Sequence, residues 1–429
     1  MRGVVDQLVA PFAVDRRVLA LAGARMADGI GNSFLIIVIP LYVTSGIVSG
    51  SAFGLGDSLI IGLILSLFGF LNSSFQPFTG RLSDRLGRRK PFILIGLAGL
   101  ALTNAAYVFA ETYVSLLVIR GLQGVSVAFI IPSSVALVNE LATTGDRGGN
   151  MGVYNTFRLI GFGAGPAVAG AVVNLGPYTL PSGILVNGFD AAFYIATVAA
   201  TTSYAVVTVL VSDPESTAAN AGADLSIPIL DRSGTNLLDP IFTLGVASFF
   251  MATSIALFAT LQPQVNARLE QGATWFGLQF AAFIIAQVAL QTPIGRACDL
   301  YGRRPFIVAG MVFLVPTTLA QGFIMSSVLM FLARLFQGIA AAMVFAPSLA
   351  LAGDLAGEGE SGSKLSILTM AFGYGIAAGP LSSGALVRFD FETPFVFGTA
   401  LAVLGAILVY TQVEETLETT ASMPIVGSD

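Results

Sequence analysis

A single acidic side chain lies deep inside an apolar stretch of this sequence. Asp28 falls within a run of apolar residues that extends from about residue 18 to 44. A carboxylate in such surroundings can stay neutral by holding a proton, or stay charged by pairing with an arginine. Arg120 and Arg158 lie within two other apolar stretches of the same half of the chain. The three residues predict a buried network in which Asp28 takes up and releases a proton. A permanent salt bridge that only orders the fold is the alternative.

The composition excludes several other kinds of site. The 429 residues include no histidine and one cysteine, Cys298. A metal site built on histidine or cysteine, a Ser-His-Asp or Cys-His triad and an intrachain disulfide are therefore excluded. The sequence has no G-x-x-x-x-G-K-[ST] phosphate loop and no basic, aromatic surface that would indicate nucleic acid. We expect neither an enzyme nor a resident metal or cofactor.

The elements that position these charges are predicted to be membrane-spanning helices. Hydrophobic residues make up 55% of the chain and charged residues 10%, whereas an ordinary soluble domain is about 25% charged. Apolar runs of about 20 residues indicate helices that cross a bilayer. The first six are predicted at about 18–44, 57–79, 91–110, 113–138, 149–174 and 189–211. The second six are predicted at about 240–265, 275–294, 306–324, 327–350, 365–386 and 394–412.

The two halves of the chain repeat one another at a nearly constant offset, which is close to half the length of the chain. Three motifs recur in order: the charged segment from Gly80 returns at Gly295, Arg120-Gly-Leu-Gln-Gly returns at Arg334, and Gly161-x3-Gly165-Pro166 returns at Gly375. Two parallel repeats related by an axis along the membrane normal are a known transporter plan. We expect an all-α membrane protein of twelve helices in two pseudo-symmetric six-helix bundles. The predicted bundles are 1–211 and 239–429, the second with a short polar tail, and 212–238 is the predicted linker.

Positive charge predicts the orientation in the membrane. If the N-terminus is inside, the outer loops hold only Arg268 and Arg388. The inner segments then hold fourteen basic residues: Arg2, Arg16, Arg17, Arg81, Arg85, Arg88, Arg89, Lys90, Arg147, Arg232, Arg296, Arg303, Arg304 and Lys364. This bias favours cytoplasmic N- and C-termini in a plasma membrane, and we expect a prokaryotic source. Arg25, nearer the inner edge, is expected to reach the surface.

The segment Gly80-Arg-Leu-Ser-Asp-Arg-Leu-Gly-Arg-Arg-Lys resembles the loop 2–3 signature of the major facilitator superfamily. The resemblance covers essentially the whole chain and implies a transporter that works by alternating access. It implies that Asp84 faces a helix of the second half and locks the halves on the inner side, and that Arg88 pairs with Glu140. We expect a gate formed by Gly80, Asp84, Arg85, Gly87, Arg88, Arg89 and Glu140. A simple topology anchor is the alternative, and a weaker gate is expected at the second copy, which has Leu300 in place of Arg85.

Two helices carry further resemblances. The fifth span has Gly152, Gly161, Gly165, Pro166 and Gly170, and is similar to the antiporter signature of drug/proton antiporters, with Ala169 where that pattern has the first of two glycines. Glycines permit close helix approach and proline softens a helix, so plain packing is the alternative. The segment at Arg120 resembles a helix 4 signature in which an arginine lies within the membrane. Its alternative is a structural arginine that caps helix carbonyls.

These resemblances imply export of a small amphipathic or hydrophobic compound in exchange for protons. Asp28 would load a proton from outside and release it inside, Arg120 and Arg158 would bias its proton affinity, and Asp84, Arg88 and Glu140 would hold the outward-facing state. A sugar or metabolite symporter or facilitator is the first alternative, and a non-transporting membrane sensor the second. Polar candidates for the pathway are Asn32, Gln123, Tyr154, Asn155, Gln262 and Tyr374. The expected partners are a small-molecule substrate, protons and the bilayer, with no nucleic acid, around a monomer.

Overall fold

The structure, a computed structural model, describes residues 15–50, 54–141, 147–179, 181–214, 229–231, 236–355 and 361–416. Within these residues, twelve helices are long and apolar enough to cross a membrane. The first six are α1 Arg16–Thr44, α2 Asp57–Leu86, α3 Lys90–Ala106, α4 Tyr113–Glu140, α5 Arg147–Leu175 and α6 Gly188–Leu210. The second six are α7 Pro240–Thr260, α8 Ala273–Tyr301, α9 Arg303–Phe323, α10 Ser327–Asp354, α11 Ser361–Leu386 and α12 Thr393–Gln412. The predicted all-α class and twelve spans are confirmed.

The helix boundaries differ from the predicted ones where polar residues continue a helix beyond the apolar run. Helix α2 continues past the predicted end at 79 and stops at Leu86, because Gly87 adopts a left-handed conformation with φ 59°. The seventh span ends at Thr260, and a separate short helix follows at Gln262–Arg268. A two-stranded hairpin between α5 and α6, β1 Tyr178–Thr179 with β2 Leu185–Val186, was not predicted.

Helix packing repeats between the halves, as the sequence repeat predicts. Helix α1 packs against α5 and α6, and α7 packs in the same way against α11 and α12. Helices α2 and α3 pack against α4, as α8 and α9 pack against α10. Helix α3 also contacts α6, as α9 contacts α12. Each half is therefore a six-helix bundle with the same internal arrangement.

The two halves meet through a pseudo-symmetric pair of helix contacts, α2 with α11 and α8 with α5. Small residues allow the backbones to touch. A Cβ atom built on Gly62 of α2 would overlap the Pro380 carbonyl of α11, and one built on Gly277 of α8 would overlap the Pro166 carbonyl of α5. Gly277 and Pro380 are the counterparts of Gly62 and Pro166 in the sequence repeat, so the two contacts are equivalent.

These contacts between the halves lie toward one end of the bundle. Along α2 they run from Ser58, near its start, through Ser66, which donates a 2.5 Å hydrogen bond to the Ala377 carbonyl, to Ser74. Further along α2, Gly80 faces Pro132 of its own half, and Gly295 on α8 has open space around it. We call the end that carries the arginine-rich connections α2–α3 and α8–α9 the charged end. In the part of the chain that the structure describes, the halves are packed together at the opposite end and separated at the charged end.

The predicted linker 212–238 is described at 212–214, 229–231 and 236–238, and 215–228 and 232–235 lie outside the described residues. At its start the Asp213 carboxylate accepts hydrogen bonds from the backbone N–H groups of Arg89 and Lys90, at 3.1 and 2.8 Å. Just past its end, Asp239 caps α7 by accepting from the N–H groups of Ile241 and Phe242. In the second half, Glu415 accepts from the Arg304 N–H at 2.8 Å, which ties the chain after α12 to the start of α9.

Candidate functional site

The deep carboxylate of Asp28 pairs with a residue of its own helix. The Arg25 guanidinium donates a hydrogen bond to Asp28, and the two side chains are 11% and 2% exposed. Residues three apart lie on the same face of a helix, and an unpaired charge at this depth would cost several kcal/mol. The prediction that Arg120 or Arg158 would pair with Asp28 is therefore wrong, as is the prediction that Arg25 reaches the surface.

A narrow cavity lies beside this pair. Its lining includes Arg25, Asp28 and Tyr154, and the Tyr154 hydroxyl lies 2.6 Å from Ser134 Oγ of α4. The other lining residues are apolar: Leu21, Ala24, Ile93, Leu97, Ile130 and Val207. The cavity volume is about 10 Å³, which is space for about one water molecule. This space fits one water molecule beside Asp28 and is too small for an organic substrate.

Arg158 lies on α5 close to this cavity and is partly buried. Its charge is close enough to interact electrostatically with Arg25 and with Tyr154. Within the described part of the chain, however, Arg158 has no hydrogen-bonding or ion-pair partner from its side chain. Phe162, one helical turn further along α5, lies 6.2 Å from Phe280 of α8 in the other half. Among the described residues, Arg158 is thus a cation without a side-chain partner, one helical turn from a contact between the halves.

Arg120 belongs to a different cluster. Its guanidinium donates to Gln123 Oε1 at 3.0 Å and stacks 4.3 Å from the Phe68 ring. Gln123 also accepts from the Tyr107 hydroxyl at 2.9 Å and donates to Asn104 at 2.6 Å. Neither Arg120 nor Gln123 lines the Asp28 cavity. This geometry favours the structural alternative for Arg120, with a glutamine side chain as its partner instead of helix carbonyls.

The same cluster recurs in the second half. Arg334 donates to Gln337, and Gln337 donates to Thr318 at 3.0 Å, each residue being the repeat counterpart of one in the first cluster. Arg334 is fully buried and stacks 4.5 Å from the Phe258 ring. Because both halves contain this arrangement, it belongs to the construction of each bundle. Gln123, a predicted pathway residue, is buried in it and does not face a substrate space.

At the charged end, Arg89 forms the ion pair with Glu140 that was predicted for Arg88. Arg89 Nε and Nη2 donate to Glu140 at 3.0 and 2.7 Å, and Nη1 donates to Asp84 at 2.5 Å. Arg88 is exposed. The predicted pairing is off by one residue because the left-handed turn at Gly87 directs Arg89, at the start of α3, toward α4. Burial lowers the pKa of Arg89, but Glu140 and Asp84 outweigh this and hold the pKa above its ordinary value.

The second copy of the charged segment makes the same contacts. Arg303, the repeat counterpart of Arg89, pairs with Asp354 and lies 3.4 Å from Asp299. Asp84 and Asp299 each pair with an arginine of their own half. Among the described residues, Asp84 thus makes no lock to a helix of the second half. The remaining predicted gate residues lie here too, Gly80 against Pro132 and Arg85 exposed.

The glycines of α5 divide into three groups. Gly161 and Gly165 pack against α1, where an added Cβ atom would overlap Met26 and Ser33. Gly170 packs against Ala273 of α8, in the other half, close to Pro166. Gly152 is exposed and has open space around it. Close packing therefore explains three of the four predicted glycines.

The remaining pathway candidates are scattered. The Tyr374 hydroxyl lies 3.1 Å from Ser74 Oγ across the two halves. Asn32 has a buried Oδ1 without a hydrogen-bond partner among the described residues, and Gln262 is fully buried there with neither amide atom bonded. Asn155 is partly buried, one turn from Arg158. Sequence reasoning missed Ser66, Ser74 and Ser134, because an isolated serine in an apolar run carries no signal of what it faces.

Comparison with known proteins identifies the family. A profile of the Major Facilitator Superfamily matches residues 21–263 and 242–423. The chain belongs to this superfamily. It is 31% identical over 176 residues to an uncharacterized MFS-type transporter of Methanocaldococcus jannaschii, and 28% identical over 167 residues to multidrug resistance protein 1 of Bacillus subtilis. These alignments cover 41% and 39% of the chain, which spans only 44% and 43% of those relatives.

A longer alignment joins this superfamily member to the quinolone resistance protein NorA of Staphylococcus aureus. The two are 21% identical over 400 residues, which cover 89% of the chain and 92% of NorA. Among solved structures, a bacterial homolog of the human lysosomal transporter Spinster, inward-facing and occupied, has a TM-score of 0.76 at 12% identity. That match covers 92% of the chain and 95% of the homolog, and it supports the fold. The chain is a multi-pass membrane protein of the superfamily.

The pairing of Glu140 with Arg89, in place of the predicted Arg88, can be tested by the stability of two variants. Arg89→Gln is expected to lower the free energy of unfolding by about 1–3 kcal/mol, because Glu140 and Asp84 lose a charged hydrogen-bond donor. Arg88→Gln is expected to change it by less than about 0.5 kcal/mol. Melting of the two purified variants in detergent compares them directly. Equal losses, or a larger loss for Arg88→Gln, would contradict the observed pairing.

Proposed function

We propose that this transporter exports small amphipathic or hydrophobic compounds in exchange for protons by alternating access. The observation that carries the proposal is the buried Asp28, which lies beside a cavity of one-water size inside the first six-helix bundle. A carboxylate that can be protonated, buried within one of two bundles that move against each other, is the minimum requirement for proton coupling. The relatives named for multidrug and quinolone resistance support export as the direction.

In this proposal the two halves, residues 1–211 and 239–429, rock about the central space. With the charged end in the cytoplasm of a prokaryotic cell, both termini are cytoplasmic and the structure is an inward-open conformation. Asp28 loads a proton while the opposite end is open and releases it while the charged end is open. Arg25 and Arg158, instead of Arg120, supply the positive charge that biases Asp28. A monomer holds a complete pathway.

We propose that the cluster of Asp84, Arg89 and Glu140 acts when the charged end closes. In the open conformation Asp84 is held by Arg89 and is about one-third exposed. Closure would bring α2 and the start of α11 together, and Asp84 could then exchange Arg89 for the partial positive charge of that helix N-terminus. Arg89 takes the role that the sequence assigned to Arg88.

A second function is favoured by one specific observation. Arg158 is a cation without an anionic partner among the described residues, next to the proton site. A substrate that brings its own negative charge would fit it, and such a substrate would travel with a proton and not against it. Proton-coupled symport of an anionic metabolite is therefore the second candidate.

The test is substrate-triggered proton movement in proteoliposomes with a pH-sensitive dye inside. Protein oriented in the vesicles is given a panel of lipophilic cations, neutral drugs and organic anions, under an imposed proton gradient. Antiport predicts that substrate and proton move in opposite directions, and symport that they move together. Substrate flux that is indifferent to the proton gradient would contradict both and indicate a facilitator.

The proposed orientation has its own test, because Cys298 is the single cysteine of the chain. In a Cys298→Ser background, Ser45→Cys places a thiol on an exposed residue at the opposite end, and Arg85→Cys places one at the charged end. A membrane-impermeant maleimide added to intact cells is expected to label Ser45→Cys, and to label Arg85→Cys only after permeabilisation. The reverse pattern would place the charged end outside.

A further inference from the structure

We propose that Arg158 binds the negatively charged group of the substrate, so that the compound carried is an organic anion such as a carboxylate. This inference rests on the transport function proposed above but not on its direction. It is carried by the balance of deep charges, by the position of Arg158 near the contact between the halves, and by the fact that Arg158 does not line the proton cavity.

The deep charges are strongly unbalanced. Among the described residues, five charged side chains lie about two turns or more from either end of a spanning helix: Arg25, Asp28, Arg120, Arg158 and Arg334. The membrane-spanning helices of the two halves therefore hold four deep arginines and one deep carboxylate. This net positive charge attracts anions and repels cations, because low-dielectric surroundings screen charge poorly.

Three of the four arginines are already satisfied in part. Arg25 pairs with Asp28, while Arg120 and Arg334 each hydrogen-bond a glutamine and stack on phenylalanine rings. Arg158 has none of these contacts within the described chain. An arginine at this depth normally finds a partner or marks a substrate pathway. The missing partner is therefore supplied by the compound that is carried.

The position of Arg158 gives a substrate access to it. Phe162, four residues along α5, faces Phe280 of the other half, and residues four apart differ in direction by about 40° around a helix. Arg158 is thus directed near the same side, one turn closer to the charged end, where the halves are separated. Asn155, one turn further, adds an amide on that side. A planar guanidinium can bind a carboxylate through two parallel hydrogen bonds.

In this arrangement the substrate binds at Arg158 and the proton binds at Asp28. The charge bound at one place changes the affinity at the other. The groups that line the cavity beside Asp28 are Arg25 from α1, Tyr154 from α5, and untitratable residues from α3, α4 and α6, namely Ile93, Leu97, Ile130, Ser134 and Val207. Arg158 interacts electrostatically with Arg25, the partner of Asp28. A substrate anion at Arg158 neutralises the positive charge that Arg158 places near the Arg25–Asp28 pair, which makes the charged form of Asp28 less favourable. A proton on Asp28 and an anion at Arg158 therefore strengthen one another, which is the sign of coupling for the second candidate function.

Binding of matched ligands to the purified full chain tests the inference. The probes are benzoate, 1-naphthoate and octanoate, each beside its amide and its amine, with affinity measured by calorimetry in detergent. Carboxylates are expected to bind more tightly than the amides, and the amines most weakly. Arg158→Gln is expected to weaken carboxylate binding about 10- to 100-fold and to leave amide binding unchanged. Arg158→Lys is expected to retain part of the affinity, and Arg388→Gln, which removes an exposed arginine, all of it.

Each outcome bears on one claim. If no carboxylate binds better than its amide, or if Arg158→Gln binds all probes as the wild type does, the anion site is wrong. Arg158→Lys keeps the test valid if Arg158→Gln does not fold. Transport of cations or neutral compounds without anions would overturn this inference and leave the transport proposal intact. Carboxylate binding that depends on Arg158, in folded protein without flux of any compound, would support the site and count against the transport proposal.

Discussion

Asp28→Asn is expected to abolish substrate-triggered proton movement, with a decrease in flux of about 100-fold or more. Asparagine has nearly the shape of aspartate but is neutral at every pH, so it can no longer exchange a proton. No other described residue offers a carboxylate at this depth, because the remaining acids of the spanning helices lie near helix ends. The measurement is the signal of a pH-sensitive dye inside proteoliposomes after addition of a transported compound.

Two further variants separate proton coupling from structure. Asp190→Asn removes a carboxylate near the start of α6, where Asp190 accepts a hydrogen bond from Asn187, and it is expected to leave the proton flux unchanged. The double variant Arg25→Gln with Asp28→Asn removes both charges of the pair. If the pair served only to order the bundle, this neutral double variant would recover the flux that Asp28→Asn loses. Recovery would assign the proton site elsewhere, and continued loss would support Asp28.

The sequence predicted what depends on local pattern and on the repeat. Apolar runs determine where helices can cross a bilayer, so all twelve spans were predicted. The repeat also holds in three dimensions, since the ion pair of Arg89 with Glu140 recurs between their counterparts, Arg303 and Asp354.

Side-chain partners could not be predicted in the same way, because they depend on directions that the pattern leaves undetermined. One residue in the left-handed conformation, Gly87, decides that Arg89 and not Arg88 turns inward. The spacing of Arg25 and Asp28 allowed a pair on one helix face. The position of Arg25 nearer the inner edge of the membrane instead suggested that its guanidinium would extend to the surface. Within the described chain, Arg158 has no partner because no acidic side chain lies close enough to it. No sequence motif indicates such distances.

Gly170→Leu is expected to reduce transport about 100-fold while leaving the protein folded. Gly170 on α5 packs against the backbone of α8, and a Cβ atom there would lie 2.5 Å from the Ala273 carbonyl oxygen. Leucine fits only if the halves separate at the opposite end, so the variant disfavours the packed conformation. A steric cost of about 3 kcal/mol changes the ratio of the two conformations by more than about 100-fold. Each six-helix bundle keeps its own contacts and is expected to fold.

Gly152→Leu is the matched control, because Gly152 lies on the same helix and belongs to the same predicted motif but has open space around it. It is expected to transport at nearly the wild-type rate. In a Cys298→Ser background, Ser66→Cys reports on the interface, since Ser66 is buried against Ala377 of the other half. Maleimide labelling of this thiol from the opposite end is expected to rise in Gly170→Leu and stay low in Gly152→Leu. Equal loss of transport in both glycine variants would show that the motif acts through helix flexibility. Normal transport in Gly170→Leu would show that tight packing at this end is not required for the cycle.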